Sequence, residues 1–358
     1  RFSSKKPAIS MIATGGTITS RVDYRTGGVT SLSNPADILQ NVPELVDIVN
    51  IKDILSPFTI MSESMTHEHW QMLAKECVKE LNKPDIKGVI VTHGTDNLHV
   101  TSAALSFFLK NLNKPVAVVG SQRSTDRGSS DGGMNLVCAS HVALSNMAEV
   151  GVCMHGSMED TYCLFTRGTK VRKMDTQRRD AFRPVNDLPF ARVYADGRIE
   201  TIQSANKRNS GKVILDSKFE PKVAIIKSYP GCSPKIIDYY VKHGYKGLVL
   251  EATGLGQFPT SGKNSWLKTL KSASESGVFL CATAETIYGR LNPNVYSEGR
   301  MCRDQGVVYL GDTLTETAYV KLGWILAKTK DMKKVGEMML TSYKGEISER
   351  TLPETFLY

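Results

Sequence analysis

The sequence predicts a two-domain α/β protein, and three observations lead to this prediction. Its 358 residues are about twice the length of an average domain. Hydrophobic residues make up 41% and charged residues 23%, as in globular proteins that bury a sizeable core. Short apolar runs that end at glycine or small polar residues alternate with segments of helical periodicity. This alternation is typical of a sheet covered by helices.

Short continuous apolar runs are typical of strands buried on both faces, as in a parallel sheet. The predicted strands are Ala8–Ala13, Gly88–Val91, Val116–Val119, Val150–Met154, Val223–Ile226, Gly247–Leu250 and Val278–Cys281. The predicted helices are His67–Leu81, Thr101–Asn111, Gly133–Asn146, Pro234–His243, Ser265–Ser276 and Thr315–Lys328. Right-handed crossovers would bring the C-terminal ends of the strands to one edge, where ligands bind in such sheets.

A polar segment divides the chain into two parts. Asp196–Lys222 is charged and poor in long apolar runs, which favours a linker or an excursion from the core. We therefore predict an N-terminal domain over residues 1–200, a linker over 201–221 and a smaller C-terminal domain over 222–358.

Composition narrows the class of protein further. The 45 Lys and Arg residues outnumber the 36 Asp and Glu residues, and the net charge of +9 favours an anionic partner such as nucleic acid without requiring one. The seven cysteines are odd in number and form no CxxC pair, which favours buried free thiols and a cytoplasmic location. No stretch approaches the roughly 20 apolar residues that cross a bilayer.

The first candidate motif is TGGTI at Thr14–Ile18, directly after a predicted strand. Paired glycines allow a sharp turn and a close approach of the backbone to a ligand. A threonine there could act as a nucleophile, but its hydroxyl needs a partner that removes the proton. The alternative is a glycine turn with no chemical role.

The second motif, HGTD at His93–Asp96, also follows a predicted strand. A hydroxyl beside a carboxylate, here Thr95 and Asp96, is half of a proton relay, and Lys173 in the basic run Arg167–Arg183 is a candidate base. Two alternatives stay open, because a Thr-Asp pair at a strand end is often a helix N-cap and a basic run is often a solvated loop.

The third motif is Ser62–Ser64 (SES), just before a predicted helix. The carboxylate of Glu63 would suit the ammonium group of an amino-acid substrate, whereas the alternative is a helix-capping segment. No metal site is predicted, because His67-Glu68-His69 lacks the i, i+4 spacing of a zinc-binding helix.

Taken together, these motifs resemble the asparaginase/glutaminase-type amidohydrolases. The matching segments are TGGTI at 14–18, SES at 62–64, HGTD at 93–96, VRK at 171–173 and EATGLG at 251–256. Longer segments at Gly120–Leu136, His155–Arg183, Ile287–Arg300 and Thr315–Leu326 resemble one branch, the D subunits of archaeal glutamyl-tRNA(Gln) amidotransferases. The resemblance implies an asparaginase-like α/β fold, with a larger doubly wound N-terminal domain and a smaller flavodoxin-like C-terminal domain.

The resemblance also implies roles for individual residues. Thr17 corresponds to the nucleophile, and Thr95, Asp96 and Lys173 form the group that activates a nucleophile or water. The resemblance places Tyr24 on a loop that closes over the site. Substrate binding is assigned to Ser62 and Glu63.

The implied activity is hydrolysis of glutamine to glutamate and ammonia. In the resembled complex, ammonia passes to a partner subunit, GatE, which converts Glu-tRNA(Gln) to Gln-tRNA(Gln). The resemblance implies a homodimer within a heterotetramer, contact with tRNA(Gln) through the complex, no cofactor in this chain, and ATP and Mg²⁺ at the partner. The resembled proteins carry a small β-barrel-like domain ahead of TGGTI, where this sequence has about a dozen residues.

Two rival hypotheses remain. One is a free-standing L-asparaginase with the same chemistry, which would hydrolyse asparagine to aspartate and ammonia without a partner. The other is a non-catalytic RNA-binding scaffold that uses its positive charge, for which tRNA affinity should fall steeply with salt.

Overall fold

The computed structural model describes residues 3–16, 18, 20–22, 29–31, 42–124 and 127–358. The chain folds into two compact units. The first unit comprises residues up to Pro184, residues Leu188–Ser217 and Tyr358, and the second comprises Val185–Asp187 and Lys218–Leu357. Each unit has its own sheet and core, as expected for an α/β chain of this length.

The strands of the first unit fall into one large sheet and several small ones. In chain order they are β1 (Ala8–Ala13), β2 (Ser20–Val22), β3 (Val29–Ser31), β4 (Asn50–Leu55), β5 (Ile86–Thr92), β6 (Leu109–Lys110), β7 (Val116–Val119), β8 (Val150–His155), β9 (Cys163–Arg167), β10 (Val171–Lys173), β11 (Phe182–Pro184), β12 (Ala191–Val193), β13 (Ile199–Thr201) and β14 (Ile214–Leu215).

The large sheet has the strand order β13-β12-β9-β8-β7-β5-β1-β4 among the described residues. Strands β4, β1, β5, β7 and β8 are parallel to one another, so their C-terminal ends share one edge. The central strands are buried along almost their whole length, because helices cover both faces of a parallel sheet. This edge carries the first two candidate motifs.

The helices of the first unit lie between these strands in the sequence. They are α1 (Leu45–Ile48), α2 (His67–Leu81), α3 (Leu98–Phe108) and α4 (Gly132–Leu144), with a short 3₁₀ turn at Ser62–Ser64. Helix α2 begins after Thr66, whose backbone N–H donates to His69 Nδ1 at 3.1 Å, a reciprocal cap of the kind that fixes helix starts. Its buried residues recur at helical spacing and end with Leu81.

The second unit contains a four-stranded parallel sheet in the order β15-β16-β17-β18. Its elements are β15 (Val223–Lys227), α5 (Lys235–Lys242), β16 (Gly247–Ala252), α6 (Leu267–Glu275), β17 (Phe279–Ala284), α7 (Ser297–Asp304), β18 (Val307–Tyr309), α8 (Thr315–Leu326) and α9 (Met332–Leu340). A fully buried ion pair, Lys321 Nζ to Glu346 Oε1 at 2.7 Å, ties α8 to the segment after α9. The four strands lie side by side in chain order and are joined by helices, which is the α/β layering of the smaller C-terminal domain that the resemblance implies.

The fold confirms the predicted α/β class, with one correction. The sequence predicts parallel strands alone, but β9, β12 and β13 join the sheet antiparallel. Antiparallel neighbours need only a short connection, such as the turn closed by the Tyr194 N–H donating to the Arg198 carbonyl at 2.9 Å. Strands joined by such short connections have no helix between them. This part of the sequence therefore lacks the alternation of strand and helix that indicates parallel units.

The polar segment that the sequence analysis interprets as a linker is bonded to the first unit. It contains β13 and β14, and β14 pairs with β6. The Val213 N–H donates to Asn82 Oδ1 at 3.0 Å, and the Asp216 N–H donates to the Phe108 carbonyl at 2.8 Å. Backbone and amide hydrogen bonds hold this segment, and hydrophobic patterning does not reveal such bonds.

Two further features bear on function. All seven cysteines lie in the described ranges, are buried and form no disulfide, as the sequence predicts. Within the part of the chain that the structure describes, no helix combines the length and hydrophobicity needed to cross a membrane.

Candidate active site

The TGG turn at the end of β1 lies directly against the HGTD segment at the end of β5. Thr14 donates to the Thr92 carbonyl from its N–H at 3.1 Å and from its hydroxyl at 3.0 Å. Gly16 has φ +91°, and a Cβ there would lie 2.4 Å from the Gly94 Cα. Only glycine permits both this conformation and this approach. The paired glycines therefore bring the first two motifs into backbone contact.

The SES segment packs against the same two turns. The Ile60 N–H donates to the Thr14 carbonyl at 3.0 Å, and Ser62 is buried. A Cβ on Gly94 would lie 2.8 Å from Ser62 Oγ, so the two segments are packed at the limit of contact. Asn97 Nδ2 donates to the Ser62 carbonyl at 2.9 Å. Three motifs that are far apart in the sequence therefore meet at one sheet edge.

Lys173 reaches the HGTD segment from the β10–β11 hairpin, where it pairs with Phe182. Its Nζ lies 2.9 Å from Thr95 Oγ1 and 2.9 Å from Asp96 Oδ1. Thr95 is 8% exposed, while the Asp96 side chain is 60% exposed. The amine thus contacts both the hydroxyl and the carboxylate, and in this arrangement a proton can pass between the hydroxyl and the amine.

A shallow cavity of about 260 Å³ opens beside this trio. It is lined by Asp96, Lys173, Met174, Asp175 and Thr176. A space of this size next to the hydroxyl–amine pair is large enough to hold a small molecule.

Two histidines beside the trio are uncharged at neutral pH. Burial lowers the pKa of His93 to about 4, and its Nδ1 lies 2.7 Å from the Gly94 carbonyl. Burial also lowers the pKa of His99 to about 4, with a further electrostatic contribution from the nearby Arg172 and Lys173 side chains. The buried Nδ1 of His99 has no hydrogen-bond partner among the described residues.

The structure brings together four of the seven predicted site residues: Ser62, Thr95, Asp96 and Lys173. Glu63 follows Ser62 in the 3₁₀ turn and is exposed. Thr17 and Tyr24 lie outside the described residues. Their predicted roles remain predictions.

Two alternatives from the sequence can be compared with the geometry. The N-cap of α3 is Asn97, which comes after the Thr-Asp pair and to which the sequence analysis assigns no role. Its position directly after HGTD is the signal that could have identified it. The basic run is partly structured, since it contains β10 and the first two residues of β11.

Thr66, two residues after the SES motif, is the N-cap of α2, in agreement with the helix-capping alternative for that segment. His69 accepts from the Thr66 N–H, and His67 Nε2 lies 3.1 Å from Glu68 Oε1. Within the described ranges, no three His, Cys, Asp or Glu side chains cluster as metal ligands.

Comparison with known families defines the class of protein. Residues 8–207 match the family described as Asparaginase, N-terminal, and residues 222–339 match the Glutaminase/Asparaginase C-terminal domain. The chain therefore belongs to the asparaginase/glutaminase family, as its motifs predict. Its similarity to individual members narrows this placement.

Curated relatives in several archaea are named as the D subunits of glutamyl-tRNA(Gln) amidotransferases. The chain is 51% identical to that of Thermococcus kodakarensis and 50% identical to that of Pyrococcus furiosus, in each case over 98% of this chain and 79% of the relative. It is 44% identical to that of Methanopyrus kandleri over 97% of this chain and 76% of the relative. These relatives confirm the resemblance to the D-subunit branch.

Solved structures of asparaginases share the fold. The thermostable L-asparaginase of Thermococcus kodakarensis is 27% identical, with a TM-score of 0.85 over 96% of this chain and 100% of its own. L-asparaginase I of Vibrio cholerae is 26% identical, with a TM-score of 0.80 over 96% of this chain and 99% of its own.

Proposed function

We propose that this chain is the glutaminase subunit of a tRNA-dependent amidotransferase and that it hydrolyses glutamine to glutamate and ammonia. One observation carries the proposal. Lys173 Nζ contacts both Thr95 Oγ1 and Asp96 Oδ1 at the edge where the TGG turn and Ser62 also meet. The identity of about 50% to relatives named as D subunits supports the same activity.

In the proposed reaction, the Thr17 hydroxyl attacks the side-chain amide carbon of glutamine. The C–N bond breaks, ammonia leaves, and a threonyl ester remains until water attacks it and releases glutamate. Thr95 takes the proton of the attacking Thr17 hydroxyl while it passes its own proton to the free amine of Lys173. That proton is then delivered to the departing amide nitrogen, which leaves as ammonia. When water attacks the ester, the same relay takes a proton from water and returns one to the Thr17 oxygen, and Asp96 orients the amine. Preorganised N–H donors near Thr95 would stabilise the oxyanion.

The remaining predicted residues bind the substrate. Glu63, which is exposed, would pair with the α-ammonium group of glutamine, and Ser62 lies at the base of the same segment. Tyr24 would close over the bound amino acid. No cofactor is assigned to this chain, and ATP and Mg²⁺ belong to the partner.

The proposed setting is the cytoplasm. There a homodimer of this chain binds two GatE subunits in a heterotetramer, and the ammonia released is used on Glu-tRNA(Gln). A free-standing L-asparaginase is the second candidate, because solved L-asparaginases match almost the whole chain. Their identity of 26–27% is well below that of the amidotransferase relatives.

The test is ammonia release from glutamine and from asparagine, measured with the chain alone and with GatE, ATP and charged tRNA. We expect glutamine turnover to be slow alone and to rise when the partner and Glu-tRNA(Gln) are added. Full-rate asparagine hydrolysis that ignores the partner would favour the second candidate.

Thr17→Ala should abolish ammonia release in the same assay, because the acyl-transfer step then lacks its nucleophile. Retained glutaminase activity would contradict the assignment of Thr17. If the variant left every measured property unchanged and the chain alone bound tRNA with a steep salt dependence, the scaffold hypothesis would gain support.

A further inference from the structure

The position of Lys173 depends on the segment that follows it. Lys173 is the last residue of β10, and residues 174–181, here called the hairpin tip, lead into β11. The Met174 N–H donates to the Ala181 carbonyl at 2.7 Å, which continues the β10–β11 pairing into the tip. A shift of the tip therefore shifts the base of the Lys173 side chain.

A single arginine ties the hairpin tip to another loop of the first unit. Arg179 Nη1 donates to Asp160 Oδ1 at 2.8 Å, and Nη2 donates to the Met158 carbonyl. Its neighbour Arg178 is 52% exposed and pairs with Asp180 inside the tip itself. The Arg179 side chain is only 13% exposed. Arg179 therefore joins the tip to another loop, whereas Arg178 makes its ion pair within the tip.

A second contact to the tip is neutral. Gln122 Nε2 donates to the Arg178 carbonyl at 2.9 Å. This contact uses the backbone of residue 178 and does not depend on either arginine side chain.

Behind Asp160 lies a histidine that belongs to the parallel sheet. His155 is the last residue of β8 and is fully buried. Its Nε2 lies 2.9 Å from Asp160 Oδ1, and its Nδ1 lies 2.6 Å from Asn135 Oδ1 on α4. Arg179 is therefore connected through Asp160 and His155 to the centre of the first unit.

Both ring nitrogens of His155 have an oxygen as their partner. Asn135 Nδ2 donates to the Gly120 carbonyl and to Asp131 Oδ2, each at 3.0 Å, so Asn135 must present its oxygen to His155. Asp160 also presents an oxygen, and the hydrogen bond from His155 lowers the pKa of this carboxyl group. Each ring nitrogen of His155 therefore faces a side-chain oxygen, one on α4 and one on the loop that carries Asp160.

We propose that Asn135, His155, Asp160 and Arg179 form a charged anchor that positions Lys173 for catalysis by fixing the hairpin tip to the sheet. The inference rests on the proposed function. Arg179 forms an ion pair with the Asp160 carboxylate, and His155 Nε2 lies within hydrogen-bond distance of the same carboxylate oxygen. These four are positioning residues, since they act on the reaction through Lys173.

The first measurement compares Arg179→Gln with the matched control Arg178→Gln. We expect Arg179→Gln to lower kcat for glutamine about tenfold with KM changed less than about twofold, because misplacing a catalytic group costs rate more than ground-state binding. Arg178→Gln should leave both parameters near wild type. Arg179→Lys keeps the charge and should recover part of the loss.

The second measurement follows Lys173 directly and needs no enzymatic activity. An amine-acylating reagent is applied to the intact chain, and acylation at position 173 is quantified by mass spectrometry of its peptide. Lys173 is 13% exposed and engaged by Thr95 and Asp96, so it should react slowly. Arg179→Gln should raise its acylation rate roughly tenfold by local opening, and Arg178→Gln should not.

Asp160→Asn provides a second variant that removes the central charge while keeping the shape of the side chain. It should reproduce the effects of Arg179→Gln on kcat and on acylation. Wild-type kcat and acylation rates in both variants would overturn the anchor even if the chain is an active glutaminase. The two proposals can also fail separately. If both variants speed the acylation of Lys173 but the wild-type protein never releases ammonia from glutamine, the anchor is supported and the proposed function is refuted.

Discussion

At the scale of single residues, the contact of Lys173 with Thr95 and Asp96 allows a direct prediction. Lys173→Met keeps most of the side-chain length but removes the amine, so we expect glutamine hydrolysis to fall by about 10²–10⁴-fold. Circular dichroism and the urea midpoint should change little. Lys52→Met removes the lysine of an exposed ion pair with Asp85 and serves as the control. Equal rates in wild type and Lys173→Met would remove Lys173 from the relay.

The buried histidines predict how stability depends on pH. His93 and His99 have folded-state pKa values of about 4 against an ordinary value of 6.5, so the unfolded chain binds more protons between these values. The stability from keeping them neutral is fully present above about pH 6.5 and is lost as the pH falls towards 4. The loss is on the order of 3 kcal/mol for each fully buried histidine.

Urea unfolding at pH 7 and pH 5 measures this effect. His93→Gln removes one of the two titrations, so its loss of unfolding free energy between the two pH values should be clearly smaller than that of the wild type. His243→Gln alters an exposed imidazole that stacks on Tyr239, and it should keep the wild-type slope. An unchanged slope in His93→Gln would show that this histidine does not carry the dependence.

At the scale of elements, the contact between the two strand-end turns makes Gly16 irreplaceable. A Cβ at this position would meet the Gly94 Cα at 2.4 Å and its N at 2.5 Å, both of them backbone atoms, and φ is +91°. We expect Gly16→Ala to lower the free energy of unfolding by more than about 2 kcal/mol. Urea denaturation measures the loss.

Gly128→Ala is the control for this substitution, because a Cβ there would meet no atom within 4 Å. Its effect should stay within about 0.5 kcal/mol. A midpoint for Gly16→Ala equal to that of this control would mean that the two turns do not touch in solution.

Elements with strong periodicity could be predicted from sequence, and elements held by other forces could not. Helix α2 and strands β1 and β7 have the predicted bounds, because apolar spacing and buried β-branched runs determine them. Helix α3 begins at Leu98, three residues before its predicted start; its N-cap is Asn97, whose side chain donates to the Ser62 carbonyl and forms no capping bond. The short strands β10 and β11 form a hairpin whose pairing no local pattern specifies.

The site could be predicted in part for the same reason. Thr95 and Asp96 stand at a strand end, where topology alone places them at the ligand-binding edge. Lys173 is 77 residues beyond Asp96, and only the motif resemblance related the two before the structure brought them within 2.9 Å. The Asn135–His155–Asp160–Arg179 contacts connect three separate segments, namely α4, β8 with the loop after it, and the hairpin tip, so no spacing rule could have found them.

At the scale of the whole molecule, family membership and architecture agree. The two matched family segments, 8–207 and 222–339, leave a short interval that contains Ser217, where the chain passes from the first compact unit to the second. Each unit has its own buried core, and neither core depends on a disulfide. The free energy of folding in each unit therefore comes chiefly from burial of apolar surface.

Because the cysteines are divided between the two units, the unfolding of each unit can be followed by the reactivity of its thiols. Four thiols lie in the first unit and three in the second, namely Cys77, Cys138, Cys153 and Cys163, then Cys232, Cys281 and Cys302. Burial raises the pKa of Cys302 to about 11, and it also raises that of Cys77 and Cys281. A thiol-specific chromogenic reagent should therefore meet almost no reactive thiolate in the native chain.

Under increasing denaturant, the order in which colour develops would report which unit opens first. A first step of four equivalents would identify the N-terminal unit, and a first step of three would identify the C-terminal unit. Seven equivalents released together would mean that the two units unfold as one cooperative body. The order in which the two units unfold can thus be measured by absorbance, without an engineered label.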